Sequence, residues 1–166
     1  MLTTTGNSAN SYVDLTEADD YMLTRVGADK WQDLDDVQKE AYVLTALRQL
    51  ELTIFSGIKQ STAQKLSWPR TGLFDYNSQP ISGIPDKLKE AQLELMFWQL
   101  TEPDRMLTDT DLTQLDTFNA GPLTLNVSKG AQVFPYLVEQ LLQAIGPGVV
   151  VKLPSSSASV QVRFVL

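Results

Sequence analysis

Cysteine and histidine are both absent from this 166-residue chain, and each absence removes a class of chemistry. Without cysteine there is no disulfide, no thiolate nucleophile and no thiolate ligand for a metal. Without histidine the side chain that most often moves protons near neutral pH is missing, and zinc loses its other common ligand. A serine nucleophile would have only a lysine as its base. No glycine loop suited to cradling phosphates occurs, the glycines standing as punctuation at helix ends and turns. No apolar run approaches the roughly 18 residues of a membrane span. Met1 to Ser11 is polar rather than basic and then apolar, so a soluble, unexported protein is expected.

Carboxylates are plentiful, but they fall where helix caps and solvated loops belong. They group as Asp14, Glu17, Asp19 and Asp20, then Asp33, Asp35 and Asp36, then Asp104, Asp109, Asp111 and Asp116. Asp109-Thr110-Asp111 starts like a calcium loop, yet no glycine and glutamate follow at the required offsets. The expectation is a protein that is not an enzyme and has no catalytic residue, cofactor or metal.

What is present is an ordinary hydrophobic content of 43 % and a net charge of −7. The charge is uneven. Met1 to Thr117 holds 19 acidic and 10 basic residues, whereas from Phe118 onward Lys129, Lys152 and Arg163 face only Glu139. Affinity for nucleic acid comes largely from Lys and Arg displacing counterions, so an acidic body argues against phosphate-backbone binding as its main task.

The hydrophobic pattern predicts a mainly α fold, a small bundle of four to five helices with an extended C-terminal β ribbon. Residues 1–10 read as a flexible arm, 11–120 as the bundle, 121–145 as an extended segment plus a helix, and 146–166 as the β arm. A first helix begins with Thr16 as its cap and runs to about Arg25, and Trp31 opens a connection that folds back onto the body. A second starts near Asp35 or Asp36 and reaches Phe55, with Val43, Leu47, Leu50 and Ile54 on one face and Ala46 beside them. Gly57 is its C-terminal stop.

Leu66-Ser67-Trp68-Pro69-Arg70 then forms a stiff elbow, because Pro69 drives the residues before it towards extended geometry. Trp68 reads as a packing anchor, and Arg70 as the partner of a carboxylate or of another chain. Thr71 to Gly83 is loop. A third long helix follows Ile84-Pro85, with Leu88, Ala91, Leu95 and Trp98 in one stripe and Leu93, Met96, Phe97 and Leu100 widening it into the most buried helix.

After Pro103, Thr108 to Phe118 has room for a helical turn or two. Leu123 to Val127 alternates like a strand, and Val133 to Ile145 reads as a helix burying Phe134, Leu137, Leu141 and Ile145. Val149 to Leu153 and Val160 to Leu166 read as a two-stranded ribbon. Two outcomes stay open for it: strand addition or intersubunit packing through Val149, Val151, Leu153, Val160, Val162, Phe164 and Leu166, or a hairpin folded on its own core.

Ser11-Tyr12-Val13-Asp14-Leu15-Thr16-Glu17-Ala18-Asp19-Asp20-Tyr21 resembles the opening motif of a family of tailed-phage head-to-tail adaptor proteins. Trp31, the stretch Ala46 to Leu50, Phe55-Ser56-Gly57, Leu66 to Arg70, Ile84-Pro85 and Gly121-Pro122-Leu123 are similar to its later landmarks, in order, over about Ser11 to Ile145. The resemblance implies a helical-bundle virion protein, made in the host cytoplasm, that assembles as a ring, commonly of twelve copies, under the portal. Its partners would be the portal protein, tail or neck proteins and further copies of itself. Double-stranded DNA would pass through the ring without specific binding, and no membrane is involved. Tyr12, Tyr21, Trp31, Trp68, Pro69, Arg70 and Trp98 would be the structural anchors. Sequences of this kind also carry the label of DnaT-like single-stranded-DNA-binding proteins. That is the competing reading, for which Trp31, Trp68, Tyr76 and Arg70 would supply stacking rings and charge.

Overall fold

The computed structural model describes residues 1–103 and 134–154, together with the strands 115–120, 123–128 and 160–164. In chain order the elements are α1 (Leu15–Leu23), α2 (Asp29–Gln32), α3 (Asp36–Leu50), β1 (Ile54–Phe55), β2 (Ile58–Lys59), β3 (Arg70–Thr71), α4 (Asp86–Thr101), β4 (Leu115–Ala120), β5 (Leu123–Ser128), α5 (Tyr136–Gln143), β6 (Val150–Lys152) and β7 (Val160–Phe164). Mainly helical, with small antiparallel sheets, this is the class the hydrophobic pattern predicts.

Two capping boxes start the outer helices. The Asp14 carboxylate accepts the Glu17 N–H at 2.9 Å while Glu17 accepts the Asp14 N–H, and Asp35 and Gln38 repeat the exchange at the head of α3. The cap of α1 is thus Asp14, two residues before the expected Thr16. A carboxylate at that position accepts the free Glu17 N–H and adds charge suited to the helix dipole.

α4 is the central element. It packs against α1, α3 and α5, and Leu88, Ala91, Leu95 and Met96 are fully buried along it. Its wide apolar surface therefore serves the bundle core. α3 buries Val43, Ala46, Leu47 and Leu50 as the 3.6-residue period requires. It stops at Leu50, not Phe55, and Ile54 is 53 % exposed. The chain leaves the helix because Ile54-Phe55 pairs with β6. On α5 the buried stripe is Phe134, Val138, Leu142 and Ile145, one step round from the expected face, and Leu137 is exposed.

The first ten residues, read as a flexible arm, make contacts of their own. Thr3 and Asn10 clasp each other, the Thr3 N–H donating to the Asn10 side chain at 2.7 Å and the Asn10 N–H to the Thr3 carbonyl at 2.8 Å. Ala9 is buried and Leu2 packs on the core.

Both predicted C-terminal strands form, but they do not pair with each other. β6 pairs with β1 in the body, whereas β7 pairs with β5 in a three-stranded antiparallel sheet of order β4-β5-β7. Residues 146–166 therefore serve two places. Val149 is fully buried, so its neighbours are fixed to the body, and β7 is left to find another partner. Leu115 to Ala120, expected in the helical region, is strand β4 of that sheet. A two-stranded ribbon is marginal in water, and a third strand gives the sheet an apolar face of useful size.

Candidate functional site

Of the predicted anchors, Tyr12, Trp31 and Trp68 are buried in the core, Tyr21 and Trp98 pack against it, and Pro69 and Arg70 are half-buried. Trp68, 1 % exposed, meets Phe55 edge-on at 5.7 Å, and its peptide bond to Pro69 is cis. Its N–H donates to the Tyr12 hydroxyl at 3.2 Å, and that hydroxyl donates in turn to Glu51. Glu51 also accepts the Ser67 N–H at 2.9 Å and the Ser67 hydroxyl at 3.0 Å, so one carboxylate joins the N-terminal segment, the end of α3 and the elbow. Burial, then the charge of Glu51 and the hydrogen bond to it, push the Tyr12 phenol well above its ordinary pKa.

Among the described residues Arg70 meets no carboxylate. Its guanidinium donates to four backbone carbonyls, those of Ser56 at 2.6 Å, Gly57 at 2.8 Å, Ser67 at 3.0 Å and Phe55 at 3.2 Å. The planar fork with five donors ties together carbonyls of the turn and of the elbow, and among the described residues this replaces the predicted ion pair. Gly57 sits in that turn at φ +74°, where a Cβ would fall 2.7 Å from the Thr71 carbonyl and 2.8 Å from Leu73. The residue that reads as a helix stop is thus required by close packing inside a strand turn.

Trp31 is fully buried, with its indole N–H on Asp19 at 2.7 Å and Lys39 lying 5.5 Å from the ring centre. Burial alone would raise the Asp19 carboxyl, but the hydrogen bonds from Lys39 and Trp31 and the Lys39 charge hold it below its ordinary pKa. Tyr21 donates to Glu94, which also takes Arg25 at 2.9 Å, and Arg25 lies 4.6 Å over Phe97. Burial, then the hydrogen bond and charge of Glu94, raise the Tyr21 phenol. Trp98 is half-buried against the core.

Three polar residues that the sequence reading passed over hold the bundle in register. Gln92, fully buried, accepts the Tyr12 N–H at 3.2 Å and donates to the Ser11 hydroxyl at 3.0 Å and the Val43 carbonyl at 3.1 Å. Gln99 donates to Gln49 at 3.2 Å, and Gln64 donates to the carbonyls of Leu66 and Pro69. The signal for the first two was available: Gln92 and Gln99 stand seven residues apart on the stripe that carries Leu88 and Leu95.

The predicted contact residues separate. Val149 is core, and its carbonyl accepts the Ser56 N–H at 2.8 Å; Leu153 is half-buried, while Val151 is 63 % exposed. Leu166 lies outside the described residues, as do Asp104, Asp109 and Asp111. Val160, Val162 and Phe164 alternate along β7, and the register joins them to other apolar positions. Leu123 stands opposite both Ala120 and Phe164, Leu125 opposite Phe118 and Val162, and Val127 opposite Asp116 and Val160. Directly paired residues share a face, so one face carries eight apolar residues and Asp116. The other carries Thr117, Asn119, Thr124, Asn126, Ser128, Gln161 and Arg163, with Leu115 alone apolar.

Elsewhere an open depression of about 260 Å³ lies among Arg70, Leu73, Phe74, Pro80 and Ile81. It holds no nucleophile with a positioned base. Among the described residues no three carboxylates gather as a metal would need. None of the described helices is long and apolar enough to cross a membrane.

A family model described as "Putative DnaT-like ssDNA binding protein" matches residues 3–164. No curated protein and no solved structure matches.

Proposed function

We propose, from the premise that this chain belongs to the DnaT-like ssDNA-binding protein family, that it is a non-catalytic structural subunit, a head-to-tail adaptor of a tailed phage. Copies assemble as a ring under the portal, extend the DNA channel and carry the tail or neck proteins. The observation that supports this reading is where the aromatic and basic anchors lie. Trp31 and Trp68 are enclosed in the core, and the Arg70 guanidinium is taken up by four carbonyls. Of the residues that would have built a stacking groove for single-stranded DNA, only Tyr76 is exposed, at 65 %, and its hydroxyl is on the Gln143 carbonyl. An acidic body around a channel repels phosphate at short range, within a Debye length of about 8–10 Å, which suits DNA that must pass without sticking.

A ring of identical subunits needs two different faces that fit one another. The amphipathic sheet is well suited to be one of them. The second reading, a single-stranded-DNA-binding accessory protein, is favoured by the family's own description and would use surfaces other than the predicted anchors.

Two measurements separate the readings. Light scattering of the full chain mixed with its portal protein should give a large defined complex, with no more than weak, salt-insensitive binding to labelled single-stranded oligonucleotides at low salt. A monomer indifferent to portal, together with tight and salt-sensitive oligonucleotide binding, would overturn the adaptor reading. Deleting residues 146–166 is unsuitable as a probe, since it would remove Val149 from the core and β6 from its pairing with β1.

A further inference from the structure

Three helices of the body run in the same direction. Along α3 and α4, Val43 meets Gln92 and Gln49 meets Gln99; along α1 and α4, Glu17 meets Lys89 and Arg25 meets Glu94, the second pair lying later on both helices each time. Their N-termini therefore share one end of the bundle, and Asp14, Asp35, Asp36 and Asp86, as caps or first-turn residues, make it acidic. Asp33, Asp35 and Asp36 stand exposed there beside Val37, which is 77 % exposed. The other end is of a different kind. Arg48 is exposed in the last turn of α3, Leu52 is 60 % exposed one turn on, and Ile54 and Val151 are exposed beside Lys152, which the register sets opposite Ile54. We infer that this finishing end, the face of Arg48, Leu52, Ile54, Val151 and Lys152, docks on the acidic starting end of a second copy at Asp33, Asp36 and Val37.

Three observations select this occupant. The first is exposure. Thr53 and Phe55 are buried while Leu52 and Ile54 are not, so strand alternation turns two large apolar side chains outward together. The second is charge. Among the described residues Arg48 and Lys152 are in no ion pair, and neither are Asp33 and Asp36. Of the carboxylates that close α3 and α4, Glu51 is turned inward onto Tyr12 and Ser67, and Glu102 is engaged as well. At the starting end Lys39, Lys87 and Lys89 are held by Asp19, Glu90 and Glu17, leaving Lys30 against Asp29, Asp33 and Asp36. The two ends cannot neutralise each other within one chain, because α3, 15 residues long, spans roughly 22 Å, at least twice the Debye length. The third is supply. Every copy carries both ends in equal number, and opposite signs steer a finishing end onto a starting end while like signs keep two acidic ends apart. Because the two patches differ, the contact is heterologous and repeats from copy to copy, closing into a ring or running on as a fibre.

The choice of occupant deepens the ring reading and rests on it, but the test needs no portal protein. Two full-length variants are made, Arg48→Glu with Lys152→Glu at the finishing end, and Asp33→Lys with Asp36→Lys at the starting end. Each has one reversed and one native end, so like charges meet within either variant and opposite charges meet when the two are mixed. Association of the parent, the variants and their equimolar mixture is followed by light scattering over a range of concentration, and circular dichroism checks the helical content of each. Because the chain has no cysteine, Lys152→Cys and Asp36→Cys in separate chains give a second readout, the disulfide formed between them on oxidation.

The expected result is a parent that self-associates, variants each weakened at least tenfold, and a mixture that regains the parent's association. Chains bearing Lys152→Cys and Asp36→Cys should cross-link to each other at least tenfold more than either does to itself. A parent that stays monomeric at the highest concentration would overturn the inference. So would variants that associate as the parent does, or a mixture that fails to recover. If a charge variant loses its helical content the cysteine pair decides alone, and equal yields from mixed and unmixed chains would sink the contact. A restored mixture that ignores the portal protein would leave this inference standing and remove the adaptor role. Portal binding by a chain whose charge variants behave as the parent would do the reverse.

Discussion

The helical body and the three-stranded sheet solve the problem of burial in opposite ways. In the body, polar groups are brought inside and satisfied: Gln92, Glu94, Glu51 and Arg70 each gather two or more partners drawn from distant segments. In the sheet, apolar and polar positions are sorted onto two faces and the strands contact chiefly one another. The first arrangement specifies one internal packing, because a buried polar group tolerates only the neighbour that satisfies it. The second is specified by strand register instead, since a slip of one residue would exchange the two faces.

That contrast can be tested from both sides. The largest effect should come from Trp68→Ala, which empties the contact with Phe55 and should cost about 3–5 kcal/mol. For a chain of this size that lowers Tm by roughly 10 °C or more, measured by calorimetry. Trp68→Phe should cost far less, since among the described residues the buried indole N–H has no partner, so no hydrogen bond is lost with it. Gln92→Leu comes next, at about 2–3 kcal/mol, because it strands the buried Tyr12 N–H and two acceptors. Neither change should alter self-association in scattering measurements below the transition. If Gln92→Leu weakened association as much as stability, the two regions would not be separable.

Leu125→Asp should show the converse, association weakened at least tenfold with the body's Tm moved by less than about 2 °C, within the range of an ordinary surface substitution. Smaller effects belong to pH and to the body alone. Tyr12 and Tyr21 titrate above their ordinary range in the fold, while in the unfolded chain they ionise near pH 10. Their contribution is therefore complete below about pH 10 and declines as pH rises, because the unfolded state releases protons that the fold retains. In Tyr12→Phe the alkaline loss of Tm should be shallower than in the parent, whatever its stability at neutral pH. Asp19 has the opposite sign. Its carboxyl is held below the ordinary value, so its contribution is present above about pH 4 and fades as pH falls. Asp19→Asn should flatten the acid side of the stability curve slightly, since the pair with Lys39 is part-exposed and screened.

How far the sequence could be read divides along the same line. Val43, Leu47 and Leu50, or Leu88, Ala91 and Leu95, repeat at the helix period, and a local period is all that such a stripe requires. The elbow at Trp68-Pro69 was visible for the same reason. Arg70 was placed correctly but given the wrong kind of partner, because four carbonyls converge on it only once the ends of α3 and the elbow are adjacent. The pairing of β6 with β1 and of β7 with β5 depends on contacts across a hundred and about forty residues respectively, for which no local pattern exists. β4 was missed because Leu115, Phe118 and Ala120 do not alternate cleanly. Its face becomes evident only when the register with β5 is known.

The order of strands in the sheet also has a bearing on timing. β5 pairs with β4 only a few residues before it, but its other neighbour, β7, is made after α5 and β6 have been added to the body. Closing such a long loop is slow compared with forming a hairpin. The apolar face is therefore complete only after the body has its last helix and its last strand. The two halves of the sheet are thus made at different times, one edge of β5 being satisfied early and the other only when the chain is nearly finished.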